Sequence, residues 1–198
     1  MAPRDPIPPT DDDLMARLAS GERGALEEIV GRWQAPVLRF LSRALGDPDE
    51  AADLAQETFL RVYRGAPSYA ASGRFKSWLF RIAGNLARNE IRRRRVRRIL
   101  SLEPLLARPE EIAEPLLGGT PGPDQRLETA RLVESLGKAL LKLPERQRLA
   151  VVLCRMEGMS QQEAADVIGT SPSAVEGLLW RGTTRLRGLL RSWLEPPD

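Results

Sequence analysis

The chain has 198 residues, 42% of them hydrophobic and 5% aromatic, with a formal net charge of +3. That length suits one ordinary domain or two small ones. There is no His and a single Cys, Cys154, which excludes a His-based triad or zinc site, a disulfide framework and a Cys-cluster metal centre.

Residues 1–10 read as a disordered tail, rich in Pro and lacking the apolar stretch of a signal peptide. No apolar run approaches a membrane span, so a cytoplasmic protein without membrane insertion is expected. Strand patterns are nearly absent, and the apolar periodicity is helical in two blocks. In the first block, 11–98, Leu14, Leu18, Leu26, Ile29, Trp33, Val37, Phe40 and Leu45 recur at spacings of three and four. Pro36 predicts a kink or a split there. Asp47-Pro48-Asp49-Glu50 predicts a helix start, with Asp47 as cap and Glu50 at the capping-box position; that helix runs to about Arg64. Residues 65–73 read as a loop, and a long helix follows from about Arg74 to Arg98.

Residues 99–126 read as a flexible linker, with five Pro and a Gly-Gly pair between 101 and 126. The second block, 127–194, opens with an amphipathic helix, Leu127 to Leu141. Leu143-Pro144 starts another helix, which Gly158 ends. Ser160 and Glu163 form a capping box, Gly169 turns the chain, and Ser171-Pro172 starts a last helix to about Trp193. The fold class is therefore all-α: two small helical domains and a flexible linker, the C-terminal domain a helix-turn-helix. Cys154 follows Val151, Val152 and Leu153 and reads as core, with a redox role as the minority reading. Neither a cofactor nor a catalytic constellation is expected, so the chain does not read as an enzyme.

Charge is uneven. Residues 65–98 carry ten basic side chains against one acidic, whereas 11–64 carry seven against eleven. Such a field points to a polyanionic partner at 65–98. Arg88, Arg92, Arg93, Arg94, Arg95, Arg97 and Arg98 cannot share one helix face, so several must form a broad positive surface suited to phosphates. The plainer reading is a solvated helix end favoured by the helix dipole. Trp78 and Phe80 lie off the apolar stripe of Phe75 and Leu79, among Arg74, Lys76 and Arg81. They are either base-stacking residues or core. Residues 160–182 carry the spacing of a helix-turn-helix, Ala165 preceding Gly169 by four; an ordinary helical hairpin is the alternative. Asp49, Asp53, Gln56 and Glu57 share one helix side and could be no more than a solvated face.

Taken together, three segments resemble a bacterial RNA polymerase sigma factor. They are Asp-Leu-Ala-Gln-Glu-Thr-Phe-Leu-Arg-Val-Tyr within 49–64, Phe-Lys-Ser-Trp-Leu-Phe-Arg-Ile-Ala-Gly-Asn within 75–95, and Leu143-Pro144 leading into 159–187. The lack of a domain between the blocks resembles the extracytoplasmic-function (ECF) group, and the resemblance covers about residues 11–190. It implies a factor that binds core polymerase and directs promoter-specific initiation. A stand-alone helix-turn-helix regulator is the alternative. In the implied scheme Asp49, Asp53, Gln56, Glu57 and Arg61 dock on the β′ clamp helices. Arg74, Lys76, Trp78, Arg81, Asn85, Arg88, Asn89, Arg92, Arg93 and Arg95 open and hold the minus-ten element. The linker threads toward the active site and RNA exit channel. The C-terminal block reads the minus-thirty-five element and meets the β flap, and an anti-sigma factor is an expected partner. Where the family usually reads Val-Lys-Ser-Arg, this chain has Val175-Glu176-Gly177-Leu178. Promoter reading then falls to Ser171, Ser173, Arg181 and Arg185, with Glu176 able to accept from cytosine N4.

Overall fold

The computed structural model describes residues 8–100 and 123–194. The expected tail, over residues 1–7, and the expected linker, over 101–122, lie outside the described residues. All regular structure in the described residues is helical. The helices are α1 (Asp11–Ala19), α2 (Arg23–Leu45), α3 (Pro48–Gly65) and α4 (Phe75–Leu100) in the first block. The second block has α5 (Pro123–Leu141), α6 (Glu145–Val151), α7 (Gln161–Ile168), α8 (Pro172–Leu189) and the short α9 (Arg191–Leu194).

The helix starts follow local chemistry. Thr10 and Asp13 form a capping box on α1, and three Asp side chains fill its first turn, where the helix dipole favours negative charge. Asp47 accepts from the Glu50 N–H at 3.0 Å, with Pro48 in the first turn of α3. Ser160 and Glu163 close a second capping box on α7. Gly169, at φ 70°, ends α7 in the left-handed conformation that a Cβ disfavours.

Four expectations need correction. The chain breaks not at Pro36 but at Ser20–Glu22, where Gly21 takes φ 93°. Pro36 sits inside α2, where it removes one hydrogen bond on a stretch with Arg32 and Ala35 exposed, and the long apolar face holds the helix together. Glu50 does not close a capping box: its carboxylate reaches Arg94 at 2.5 Å, a stronger partner than a backbone N–H. In the second block, α5 begins at Pro123, four residues early, because Pro suits a first helical turn. The last helix ends at Leu189, with α9 as a separate turn. Between α6 and Gly158 the chain also passes through a π-helical turn, Val152–Met156, which shifts the register around Cys154.

The buried apolar residues form one continuous cluster. It runs from Leu14, Ile29, Phe40 and Leu79 in the first block to Leu149, Leu153, Val167 and Ile168 in the second. Phe40 and Phe80 meet edge to face at 5.3 Å. The seam between the blocks is made chiefly by α4 against α7, with α2 against α5 and the π-turn beside it.

Candidate functional site

The first surface lies on α3. Asp49, Asp53, Gln56 and Arg61 are exposed and Glu57 is partly so, paired with Arg61 at 2.7 Å. Ala51, Ala55, Thr58, Phe59 and Val62 face inward. Thus the polar row is a true outward face. Its continuation is apolar: Leu60 and Tyr63 are 49% and 50% exposed. With Leu26, Val30, Leu38 and Phe59 they border a groove of about 680 Å³ between α2 and α3. Leu60 and Tyr63 escaped the sequence reading. Their signal was the spacing: 49, 53, 56, 60 and 63 run down one helix face.

The second surface lies on α4. Seven Arg cannot share one helix face, and the structure shows how they divide. Arg94 anchors α4 to the start of α3, meeting Asp47 at 2.7 Å and donating to the Leu45 carbonyl at 3.2 Å. Arg93 and Arg97 pair with the buried Glu90 at 3.1 and 2.7 Å. Arg92 and Arg95 are exposed, with no ion pair among the described residues. Arg88 donates to the Ile168 carbonyl at the end of α7 and to Asn85. Burial lowers its pKa, and Arg146 and Arg92 act in the same direction against Glu145. The side chain of Arg98 lies outside the described residues.

Beside this surface, the 66–74 loop and α4 form a cleft of about 310 Å³ that includes Tyr69, Arg74, Ser77, Trp78 and Arg81. Trp78 is half-buried, T-shaped against Tyr69 at 4.9 Å and tilted against Phe75 at 5.9 Å. Phe80 is fully buried and belongs to the core. Trp78 therefore packs on one side against Tyr69 and Phe75 and borders the cleft on the other. The loop is tied to α1. The Tyr69 hydroxyl donates to Asp12 at 2.6 Å, and the Gly73 N–H donates to the same carboxylate at 2.7 Å. Burial, then Asp12, push the Tyr69 phenol well above its ordinary pKa, so it stays a donor. Asn89 and Arg81 are exposed, whereas Lys76 is half-buried and donates to the Glu157 carbonyl.

The third surface is α8. Ser171 caps the helix, accepting from the Ala174 N–H at 3.2 Å, and bonds Ser173 at 3.1 Å. Val175, Leu179, Gly182 and Leu186 are buried, which turns Ser173, Glu176, Trp180, Arg181 and Arg185 outward. The Arg181 guanidinium lies 3.3 Å from where a Cβ on Gly177 would be, so the missing side chain makes its seat. Trp180, 69% exposed, is the large apolar residue that sequence reasoning passed over. It lies one turn beyond Glu176 on the same face. Cys154 is half-buried, and burial pushes its thiol pKa up, away from a reactive thiolate.

Residues 29–97 match sigma-70 region 2, and residues 134–186 match sigma-70 region 4. The RNA polymerase sigma factor CnrH of Cupriavidus metallidurans is 37% identical over 189 residues, covering 92% of this chain and 96% of CnrH. The ECF RNA polymerase sigma factor SigE of Mycolicibacterium smegmatis is 36% identical, covering 87% of this chain and 65% of SigE. The solved structure of CnrH in complex with the cytosolic domain of CnrY covers 92% of this chain and 97% of that one, with a TM-score of 0.64 and 31% identity. The sigma factor RpoE in complex with the anti-sigma factor NepR, from Bartonella quintana, shares the fold. Its TM-score is 0.67 at 24% identity, covering 83% of this chain and 96% of that one.

Proposed function

The chain belongs to the extracytoplasmic-function group of sigma-70 RNA polymerase sigma factors, and on that premise we propose how its three surfaces divide the work of promoter-directed transcription initiation. The outward face of α3, with Asp49, Asp53, Gln56, Glu57 and Arg61, docks on the clamp helices of core polymerase. Leu60 and Tyr63 give that contact an apolar half. The cleft at Tyr69, Trp78 and Arg81 receives an unpaired base of the minus-ten element, and Arg92 and Arg95 hold its phosphates. The outward face of α8 reads the minus-thirty-five element in the major groove, as the second helix of such a unit does. Glu176 accepts from cytosine N4, Arg181 and Arg185 reach phosphates or guanines, and Trp180 offers apolar contact to a thymine methyl. The C-terminal block also meets the β flap.

The factor is a non-catalytic cytoplasmic protein, controlled by an anti-sigma factor. The complexes of CnrH with CnrY and of RpoE with NepR support that last assignment. The observation that carries the reading is the pairing of an unneutralised Arg surface with an aromatic-lined cleft on one helix, α4. Both region matches speak against a stand-alone regulator. Run-off transcription on a promoter library, with purified core polymerase and this protein, tests it. Initiation enriched at a shared two-part sequence is expected. A folded protein that neither binds core nor selects any promoter sinks the proposal.

A further inference from the structure

Among the described residues, the Arg148 guanidinium of α6 has neither a hydrogen bond nor an ion pair, although the residue is only 8% exposed. Its Nε is sealed from solvent. Nη1 and Nη2 are not sealed in the same way, so the forked end remains reachable. Burying a charge without a counter-charge is costly, and buried guanidinium groups are normally paired. Glu145, one turn earlier on α6, lies within electrostatic reach of Arg148 but forms no ion pair with it. Arg94 of α4 is also near, and its charge is already met by Asp47 and Glu50 of α3.

Arg88 of α4 shares the same acid. Its neighbours are Glu145, Arg146 and Arg92, and its bond to the Ile168 carbonyl fixes its position. Arg146 and Arg92 are exposed. Burial lowers the pKa of both Arg148 and Arg88; Glu145 offsets part of this, and the neighbouring Arg side chains add to it. Arg88, Arg146 and Arg148 thus gather about the Glu145 carboxylate with positive charge in excess.

We propose that Arg88, Arg146 and Arg148 form an oxyanion site between α4 and α6, whose ligand is free phosphate or a small phosphomonoester. A guanidinium offers parallel N–H donors that match phosphate oxygens. Three cations against one carboxylate leave two positive charges unmet, which selects a phosphate dianion over chloride or a lone carboxylate. Arg148 is too recessed for the backbone of a DNA duplex to reach, so the phosphate is that of a small molecule. None of the three Arg lines the Trp78 cleft, so the site is separate from strand capture.

The test uses the full chain and inorganic phosphate, at an ionic strength held constant with sodium chloride. Phosphorus NMR line broadening reads binding, and thermal denaturation reads folding. The parent chain should bind phosphate saturably. At ten times the Kd, phosphate should raise the melting temperature by roughly 3 to 5 °C. Arg148→Met, which keeps an unbranched apolar stem, should abolish both effects. Arg146→Gln, on the surface, should weaken binding about tenfold through the loss of a charge-assisted hydrogen bond. Arg23→Gln removes the same charge at the far end of α2 from the Leu45–Arg94 contact and should bind as the parent does.

No saturable binding by the folded parent overturns the site. Equal weakening by Arg146→Gln and Arg23→Gln shows diffuse charge attraction and overturns it too. Those two surface variants decide the matter even where Arg148→Met fails to fold. Unchanged binding by a folded Arg148→Met chain removes the buried guanidinium from the site and overturns the proposal. Binding that appears only once Glu103, Glu110, Glu111 and Glu114 are changed to Gln assigns the site to the chain's own carboxylates and overturns the free phosphate ligand.

Discussion

Glu163 serves two structures at once. One oxygen closes the capping box of α7 and the other accepts from Ser77 across the seam at 2.7 Å. The Ser77 bond, followed by the Ser160 bonds, holds the carboxyl below its ordinary 4.5. Its contribution to stability is therefore full above pH 4.5 and lost as pH falls through the depressed folded value. Ser77→Ala should raise the Glu163 titration toward 4.5, which a carboxyl-carbon NMR titration would follow; an unmoved midpoint would break the link. On α3, Asp53→Ala with Gln56→Ala touches no buried group, so folding stability should hold within about 0.5 kcal/mol, read by thermal denaturation. Affinity for core polymerase, measured by fluorescence anisotropy, should fall. An unchanged affinity would remove α3 from the docking surface. Spacing disclosed this row, but it could not show where the polar part ended. Leu60 and Tyr63 look by residue type like two more core residues, and only their spacing from Asp49, Asp53 and Gln56 sets them apart from Phe59 and Val62.

At the scale of the helix, α4 shows why composition overstates a charged surface. Ten cations between 65 and 98 point to α4 as a positively charged helix. They did not reveal that Glu90, the single acid, pairs with Arg93 and Arg97, or that Arg94 binds the start of α3. The proposed phosphate contacts then fall chiefly to the exposed Arg92 and Arg95. Replacing both with Ala should lower the salt slope of promoter binding by about two, with equal loss at every sequence. Arg94→Ala should instead destabilise the first block, because it strips a partly buried cation from Asp47 and Glu50. Equal slopes for parent and double variant would reassign the phosphate contacts. Helix starts were legible at Asp47, Ser160 and Ser171 because each rests on neighbouring side chains alone. The expected split at Pro36 does not occur because the long apolar face of α2 outweighs the cost of one lost hydrogen bond.

For the whole molecule, sequence gave two blocks and a Pro/Gly-rich connection but no sign that the blocks pack together. The seam depends on Gly84 meeting Val167 and on Arg88 reaching a backbone carbonyl 80 residues away, neither of which leaves a periodic trace. Limited digestion with a glutamate-specific protease should cut at Glu110 or Glu111, in the stretch expected to be flexible. The two fragments should then co-elute on gel filtration, held by the seam, and separate when Gly84→Ala is present. Fragments that part at once would show that the chain connection alone keeps the blocks together.

The tie from Asp12 to Tyr69 and Gly73 carries a lesson for those who build hybrid factors by cutting and splicing. The region 2 match begins at residue 29, yet the loop bordering the Trp78 cleft is anchored by a carboxylate on α1. A transplant that starts at 29 would import the cleft without its anchor, leaving the Tyr69 hydroxyl and the Gly73 N–H to whatever the host supplies. The transferable unit begins at the Thr10 cap. A graft made there should keep the donor's promoter preference, where the shorter one blurs it.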